Sequence, residues 1–222
     1  SGTSVGVEYE KYLYSCQSKF QNIEVIKTHN YGNALYLDGC FMLSEKNQDY
    51  YHNMCLDLTP QKSKNILIIG GGDYGIASML SRRDSNAKIT IVEIDEKVVQ
   101  ISKKYFPKHF TLNIEQLKNI KLIIQDGMIF LKNNLTKYDS IIIDSTDPIG
   151  QAKILFSKNF VRLCGASLKK GGTLIQQSGS PINDMKSLIK PLIKKYDDIG
   201  MKKIILSSFP MPLYPTGTWC FI

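Results

Sequence analysis

The sequence predicts a doubly wound α/β domain preceded by a small antiparallel β-hairpin domain, and three observations carry that prediction. From Asn65 onward, short β-runs alternate with helical stretches, as they do where crossover helices join parallel strands. Two of those runs, Ile66-Leu67-Ile68-Ile69 and Ile141-Ile142-Ile143, are apolar at successive positions, the pattern of central strands covered on both faces. Ahead of Asn65, by contrast, the β-rich runs are separated by turn signals alone, as in an antiparallel meander. The expected division is a β-hairpin domain at residues 1–46 and the larger doubly wound domain at residues 47–222.

Phe20 to Lys27, Ala34 to Leu37 and Cys40 to Leu43 are expected strands, with Asn30-Tyr31-Gly32-Asn33 and Asp38-Gly39 as the turns between them. Parallel strands are expected at Asn65 to Ile69, Lys88 to Val92, Lys121 to Ile124 and Tyr138 to Ile143, ending at Gly70, Glu93, Asp126 and Asp144. A helix from Ser157 to Leu168, the turn Lys169-Lys170-Gly171-Gly172 and a strand from Thr173 to Gln176 come next. Last are a helix near Asn183 to Asp197, a strand near Lys202 to Ser207, a proline-rich turn from Pro210 to Pro215 and a run from Thr218 to Ile222, expected to be cut short by the end of the chain. Residues 1–5 carry no weight in this reading.

With 222 residues, 43% of them hydrophobic and 22% charged, the chain suits one ordinary globular domain with a small appendage, which excludes a disordered tail protein or a disulfide-stapled scaffold. The net charge of +8 raises an anionic partner such as nucleic acid. The basic pairs Arg82-Arg83, Lys103-Lys104, Lys169-Lys170, Lys194-Lys195 and Lys202-Lys203 are scattered over expected helix ends and turns, so solvated surface charge is the reading and no nucleic-acid partner is expected. Cys16, Cys40, Cys55, Cys164 and Cys220 are widely spaced and form no C-x-x-C pair; they indicate neither a disulfide framework nor a zinc site, read as core filler, and suit a reducing, cytoplasmic location. No apolar run approaches the roughly 18 residues of a membrane span, and no basic segment followed by an apolar core opens the chain, so neither membrane insertion nor a signal peptide is expected.

Gly70, Gly72 and Gly75 satisfy G-x-G-x-x-G directly after a buried strand and at the start of a helix, with Glu93 at the end of the next strand. In that setting the pattern is a Rossmann-type nucleoside-binding fingerprint: the glycines admit backbone close to a ligand, and the acid accepts from both ribose hydroxyls. A dinucleotide pyrophosphate needs bare N–H groups at the helix start, yet this loop carries Asp73 in its middle. A carboxylate there repels phosphate and attracts an ammonium or sulfonium, which favours a nucleoside of the S-adenosylmethionine type.

The positions of the acids point the same way. Asp73, Glu93, Asp126, Asp144 and Asp147 all fall just beyond the carboxyl ends of successive expected parallel strands, where open α/β sheets bind ligands. A basic protein thus places five of its 20 Asp and Glu residues in one crevice. Like charges held together are costly unless a cation compensates them, so a substrate with more than one positive charge is expected. Helix capping explains one or two of the five, not all.

Gly70-Gly71-Gly72-Asp73, Val92-Glu93-Ile94-Asp95, Gln125-Asp126-Gly127 and Asp144-Ser145-Thr146-Asp147-Pro148-Ile149-Gly150 resemble the polyamine aminopropyltransferases, the spermidine synthases in particular. Phe20-Gln21-Asn22-Ile23, Leu37-Asp38-Gly39, Ser44-Glu45 and Tyr51-His52-Asn53-Met54 upstream, and Pro212-Leu213-Tyr214-Pro215-Thr216-Gly217-Thr218-Trp219 downstream, extend the likeness over nearly the whole chain. The resemblance implies a class I S-adenosylmethionine-dependent methyltransferase-like fold that transfers an aminopropyl group from decarboxylated S-adenosylmethionine to putrescine, giving spermidine and methylthioadenosine. It implies a donor site at Gln21, Gly70, Gly72, Asp73, Glu93, Asp126 and Gly127, and a diamine channel at Tyr51, His52, Asp73, Asp144, Asp147 and Tyr214. Asp144, Asp147 and Tyr51 would be the catalytic set, with Asp144 as proton acceptor. No cofactor beyond the co-substrate, no metal and a homodimer or higher homo-oligomer are implied as well.

Three positions depart from the commonest pattern of that family: Tyr74 in the glycine loop, where its bulk threatens the donor; Gln151, which frees a loop that proline would stiffen; and Lys153, a positive charge near a cationic substrate. The segment Pro148 to Phe156 is read as a mobile lid over the substrate. Two other readings stand beside the first: a methyltransferase on the same fold, and a non-catalytic subunit that binds ligand or regulates a partner.

Overall fold

The computed structural model describes residues 5–113, 116 and 118–222. The chain begins with a four-stranded antiparallel sheet, β1 (Tyr9–Gln17), β2 (Asn22–Thr28), β3 (Gly32–Leu37) and β4 (Cys40–Ser44), paired in chain order. The left-handed pair Asp38 (φ +50°) and Gly39 (φ +73°) makes the tight turn from β3 to β4. Strand β1 was not expected from the sequence: it is mostly exposed, and charged Glu10 and Lys11 interrupt any apolar alternation. Ile23, Val25, Leu35, Leu37 and Leu43 of the other strands are buried against Val98, Ile101 and Phe106.

Helix α1 (Gln48–Leu58) leads into β5 (Asn65–Gly70), α2 (Gly75–Arg83), β6 (Lys88–Glu93) and α3 (Glu96–Tyr105), the helix on which the antiparallel sheet rests. Then come β7 (Ile120–Ile124), α4 (Gly127–Asn133), β8 (Tyr138–Asp144), α5 (Lys158–Ser167) and β9 (Leu168–Gln176). These strands form a parallel five-stranded sheet in the order β7-β6-β5-β8-β9. Its two faces separate cleanly along β5. Ile66 and Ile68 pack with Ile76, Ala77 and Leu80 of α2, whereas Leu67 and Ile69 pack with Met128 and Leu131 of α4 and Phe160 and Cys164 of α5. The apolar-throughout strands therefore lie at the centre, as expected.

From β5 the chain winds outward through β6 to β7 and then returns to the other side of β5 as β8. Gly70 and Asp144 consequently end up paired side by side at the point where the winding reverses, the position at which sheets of this type open a ligand crevice.

The remaining elements differ in detail from the sequence reading. The Lys169-to-Gly172 turn is present as a bulge within β9, since Tyr138 pairs with Leu168 but Ser140 with Thr173. The helix expected from Asn183 begins with one wide turn, Met185–Ile189, and continues as α6 (Lys190–Asp198), with Pro191 in the first turn, where its missing N–H is not needed. The strand expected at Lys202 to Ser207 lies instead at Ser207–Pro210 (β10). Lys203 is left-handed (φ +55°), which breaks the extended run, and Met201 and Ile204 pack beside Leu192 and Tyr196 of α6. β10 pairs with β11 (Thr218–Phe221), and Ile222 exchanges main-chain hydrogen bonds with Gln176, so this hairpin continues the sheet past β9 in the antiparallel sense. All five cysteines are free; Cys55, Cys164 and Cys220 are core residues, but Cys40 is exposed and Cys16 half-buried, so they are not all core filler. Among the described residues no helix is long and apolar enough to cross a membrane.

Candidate active site

The crevice is a cavity of about 550 Å³ over the carboxyl ends of β5, β6 and β8, roofed by β3, β4 and the chain around Tyr214. Gln21, Tyr51, His52, Gly70, Gly72, Asp73, Glu93, Asp126, Gly127, Asp144, Asp147 and Tyr214 all line it. The five carboxylates singled out in the sequence thus converge on one space. Among the described residues the wall contains no Lys or Arg.

The glycine loop is shaped by contact with the strand that carries Asp144. Gly70 has φ +87°, and a Cβ there would lie 1.9 Å from the Asp144 carbonyl oxygen. Gly75 leaves room for the His52 ring, whose Cε1 is 2.0 Å from where a Cβ would stand. Gly127 does the same for Ile69 as α4 crosses β5.

Asp144 ends β8, and its Oδ1 accepts a hydrogen bond from the Tyr51 hydroxyl at 2.8 Å. Burial first, and the charge of Asp73 after it, push the Asp144 carboxyl up to about 6. Burial and the neighbouring Asp144 keep the Tyr51 hydroxyl protonated far above the usual phenol range, so it remains a donor. Asp147 is also raised, by burial and then by Asp184, against a hydrogen bond from Gln177.

Asp73 is not a free carboxylate. His52 Nε2 lies 3.1 Å from its Oδ2, His109 Nδ1 lies 3.6 Å from the same atom, and its Oδ1 accepts from the Gly75 N–H at 3.2 Å. Burial opposes its ionisation, but these neighbours outweigh it and hold the pKa at about 2. His52 is pulled down by burial and pushed up more strongly by Asp73, for a net rise. His52, Asp73 and His109 carry metal-ligand chemistry within 4.8 Å of one another. However, His109 Nδ1 is 2.9 Å from the Asp73 carbonyl oxygen, which can only accept, so that nitrogen carries a proton and has no lone pair for an ion.

Glu93 Oε1 accepts from the Asp95 N–H at 2.9 Å. Burial pushes its carboxyl up to about 7, with nearby backbone N–H groups working against the rise and Asp95 adding to it. Asp126 does cap a helix: its Oδ1 accepts from Met128 N at 2.7 Å and Ile129 N at 3.0 Å. The capping explanation therefore accounts for this one acid while its carboxylate still borders the cavity. Gln21 is steadied by Asp95, whose Oδ2 accepts from Gln21 Nε2 at 3.2 Å and from the Ser18 hydroxyl at 2.6 Å, which fastens the antiparallel sheet to the start of α3.

Tyr74 departs from expectation. It is left-handed (φ +64°), and its ring lies outside the cavity wall, tilted against Phe110 with centroids 4.6 Å apart. A non-glycine residue in that conformation costs on the order of 1–2 kcal/mol, and an aromatic pair offsets about 0.5–1.5 kcal/mol of it. It does not line the cavity. Lys153 is exposed and outside the wall, whereas Gln151 stands at the mouth. The Pro148-to-Phe156 segment forms a short 3-10 turn over Gly150–Phe156, with Ile149 two-thirds exposed above the opening.

Two site residues had no motif to mark them. Gln177 lines the cavity just past β9; its Nε2 donates to Ser145 O at 2.9 Å, and its Oε1 accepts from Trp219 Nε1 at 3.0 Å. The signal was its place at the carboxyl end of the strand beside β8, where an amide stands instead of an acid. His109, buried behind Asp73, gave no signal in the local pattern.

Strand order, switch-point crevice and glycine loop together define a Rossmann-like α/β protein with a crevice at the carboxyl ends of its central strands. The chain belongs to the spermine/spermidine synthase family: the family described as spermine/spermidine synthase domain matches residues 33–222, and the spermidine synthase tetramerisation domain matches residues 2–45. The chain is 37% identical over 224 residues to a polyamine aminopropyltransferase of Methanocaldococcus jannaschii, covering 100% of this chain and 75% of that protein. It superposes on a spermidine synthase solved with the transition-state analogue AdoDATO with a TM-score of 0.82 and 30% identity, over 97% of this chain and 73% of that one. Spermidine synthase from Thermotoga maritima gives 0.79 and 28%, over 97% and 72%.

Proposed function

We propose that the chain is an aminopropyltransferase that moves the aminopropyl group of decarboxylated S-adenosylmethionine onto putrescine, releasing methylthioadenosine. The observation that carries this reading is a cavity walled by Asp73, Glu93, Asp126, Asp144 and Asp147 with no Lys or Arg among its described residues. Such a wall suits a nucleoside sulfonium bearing an ammonium, and an amine acceptor with a second positive end. It offers a donor carboxylate no Lys or Arg, and the wall histidine, His52, is already paired with Asp73, which speaks against an ordinary methyltransferase.

In this reading Glu93 takes the ribose hydroxyls, Asp126 and Gly127 border the base, and Asp73 faces the donor ammonium. Tyr214 and Asp147 line the path of the diamine. The step is an in-line displacement: the acceptor nitrogen forms a bond to the methylene beside sulfur, the carbon–sulfur bond breaks, and its electron pair stays on the neutral thioether. The attacking amine must be neutral; taking a lysine-like amine of pKa about 10.4 to that state at pH 7 costs about 4.6 kcal/mol. Asp144, held by Tyr51 and raised towards neutrality, accepts the proton. Asp147 holds the far end of the acceptor, and water is excluded by the Gly150–Phe156 turn closing over the mouth. The match of residues 2–45 to a tetramerisation domain supports a homo-oligomer assembled through the antiparallel sheet.

Turnover with the decarboxylated donor is expected to exceed turnover with intact S-adenosylmethionine by at least ~10², the scale of an unpaired carboxylate placed among buried carboxylates. Equal use of both, or methyl transfer from the intact donor, would overturn the assignment. A second expectation concerns Glu93. Hydroxyls donating to it favour its ionised form, so a carboxyl near 7 in the free protein loses a proton as the nucleoside binds. Methylthioadenosine affinity is expected to rise roughly tenfold between pH 6 and pH 8. Calorimetric titration across that range checks it, and a flat profile would remove Glu93 from the ribose.

A further inference from the structure

The strained turn Asp73-Tyr74 is clipped to a second segment, distant in sequence, that never reaches the cavity. His109 and Phe110 sit in the short 3-10 turn Pro107–Phe110 after α3. His109 Nδ1–H donates to the Asp73 carbonyl oxygen at 2.9 Å, and its ring meets the His52 ring edge-on at 5.1 Å. Phe110 packs its ring, tilted, against that of Tyr74 with centroids 4.6 Å apart. His109 is only 4% exposed and lies outside the cavity wall, yet it touches both the residue that faces the donor ammonium and the histidine paired with it.

We infer that His109 is a positioning residue: it fixes the peptide of Asp73 and the tilt of His52, and so aims the Asp73 carboxylate at the ammonium end of the donor. The inference rests on the function proposed above. The peptide joining Asp73 to left-handed Tyr74 is gripped from both sides: its N–H donates to the Gly71 carbonyl oxygen at 3.0 Å, and His109 supplies the side-chain hydrogen bond to its carbonyl oxygen. The bond also fixes the His109 tautomer, because a carbonyl oxygen accepts and Nδ1 must carry the proton. Burial lowers the His109 pKa, so the ring is neutral and adds no charge against the donor. What it supplies is one directed N–H and a flat apolar edge.

His109→Leu keeps the bulk and loses the N–H; His109→Asn places an amide N–H close to the position of Nδ1–H. In the leucine variant the KM for the decarboxylated donor, and its Kd measured without acceptor, are expected to rise roughly tenfold with kcat within about twofold, the scale of one directed buried hydrogen bond. Methylthioadenosine, which lacks the ammonium, is expected to bind the leucine variant within about twofold of the wild type. The asparagine variant is expected to recover most of the donor affinity. Equal weakening for donor and methylthioadenosine, a fall in kcat with KM unchanged, or an asparagine variant that folds with the wild-type Tm and is no better than leucine would each overturn the assignment. If the wild type itself binds the decarboxylated donor no more tightly than methylthioadenosine, the underlying reading of Asp73 falls, and this inference with it.

Discussion

Replacing Asp144 by Asn is expected to lower kcat by at least ~10² while leaving the Kd of methylthioadenosine within a few-fold of the wild type. The side chain keeps its shape, so Tyr51 still has an oxygen to donate to at the 2.8 Å position, and the end of β8 is not disturbed. In the proposed reaction, what is lost is the acceptor for the proton that leaves the amine as the new bond forms. A carboxyl already raised to about 6 by burial and by Asp73 is matched to that task, being ionised at neutral pH yet far more basic than a solvated aspartate. In the wild type, kcat/KM is accordingly expected to fall in two overlapping steps on the acid side, as Glu93 takes up a proton below about 7 and Asp144 below about 6 in the free protein. Rapid-quench measurement of methylthioadenosine formation separates the chemical step from binding; a variant with wild-type kcat would remove Asp144 from the reaction.

Gly70→Ala is expected to be the most damaging single methyl group in the protein. A Cβ at Gly70 would stand 1.9 Å from the Asp144 carbonyl oxygen, and that oxygen also accepts the Gly71 N–H at 3.2 Å. An alanine at φ +87° is strained on its own account. Relief requires β5 and β8 to part at the point where the winding of the sheet reverses, which displaces the Asp144 carboxylate. A misplacement of about an ångström costs on the order of 10² in rate, and a marked fall in Tm is expected alongside it. Gly39→Ala is the useful comparison, because nothing stands within 4 Å of a Cβ there although its φ is also positive. If both alanine variants lose the same activity and the same Tm, backbone strain rather than the contact with Asp144 is responsible.

Much of this architecture is legible in the amino-acid order because parallel strands advertise themselves. Ile66 to Ile69 and Ile141 to Ile143 are apolar on both faces, and in a parallel sheet the residue after each run stands at the functional edge. Gly70, Glu93, Asp126 and Asp144 are found together for that reason, each standing at or just past the end of its run. The same logic reaches Gln177 only when an amide is treated as seriously as an acid. What local pattern does not contain is pairing across the fold. Asp73 is shared between His52 and His109, Asp95 holds Gln21 and Ser18, and Tyr74 packs against Phe110, all of them contacts between segments far apart in the chain. Strand β1 was hidden for a different reason: one face of an exposed edge strand needs no apolar alternation, and Tyr9 and Tyr12 stand about half exposed on it. The misplaced β10 shows a third kind of failure, in which Ile204 gives the run from Lys202 a strand-like apolar residue that in fact packs beside Leu192 and Tyr196 of α6.

In the proposed function, the acidic cavity joins a sulfonium nucleoside to an amine. Product analysis after incubating the purified protein with the decarboxylated donor and a panel of amines tests it directly. Methylthioadenosine and an aminopropylated amine in equal amounts, with putrescine the best acceptor, is the expected result. No methylthioadenosine with any amine, under conditions where the donor binds, would contradict it.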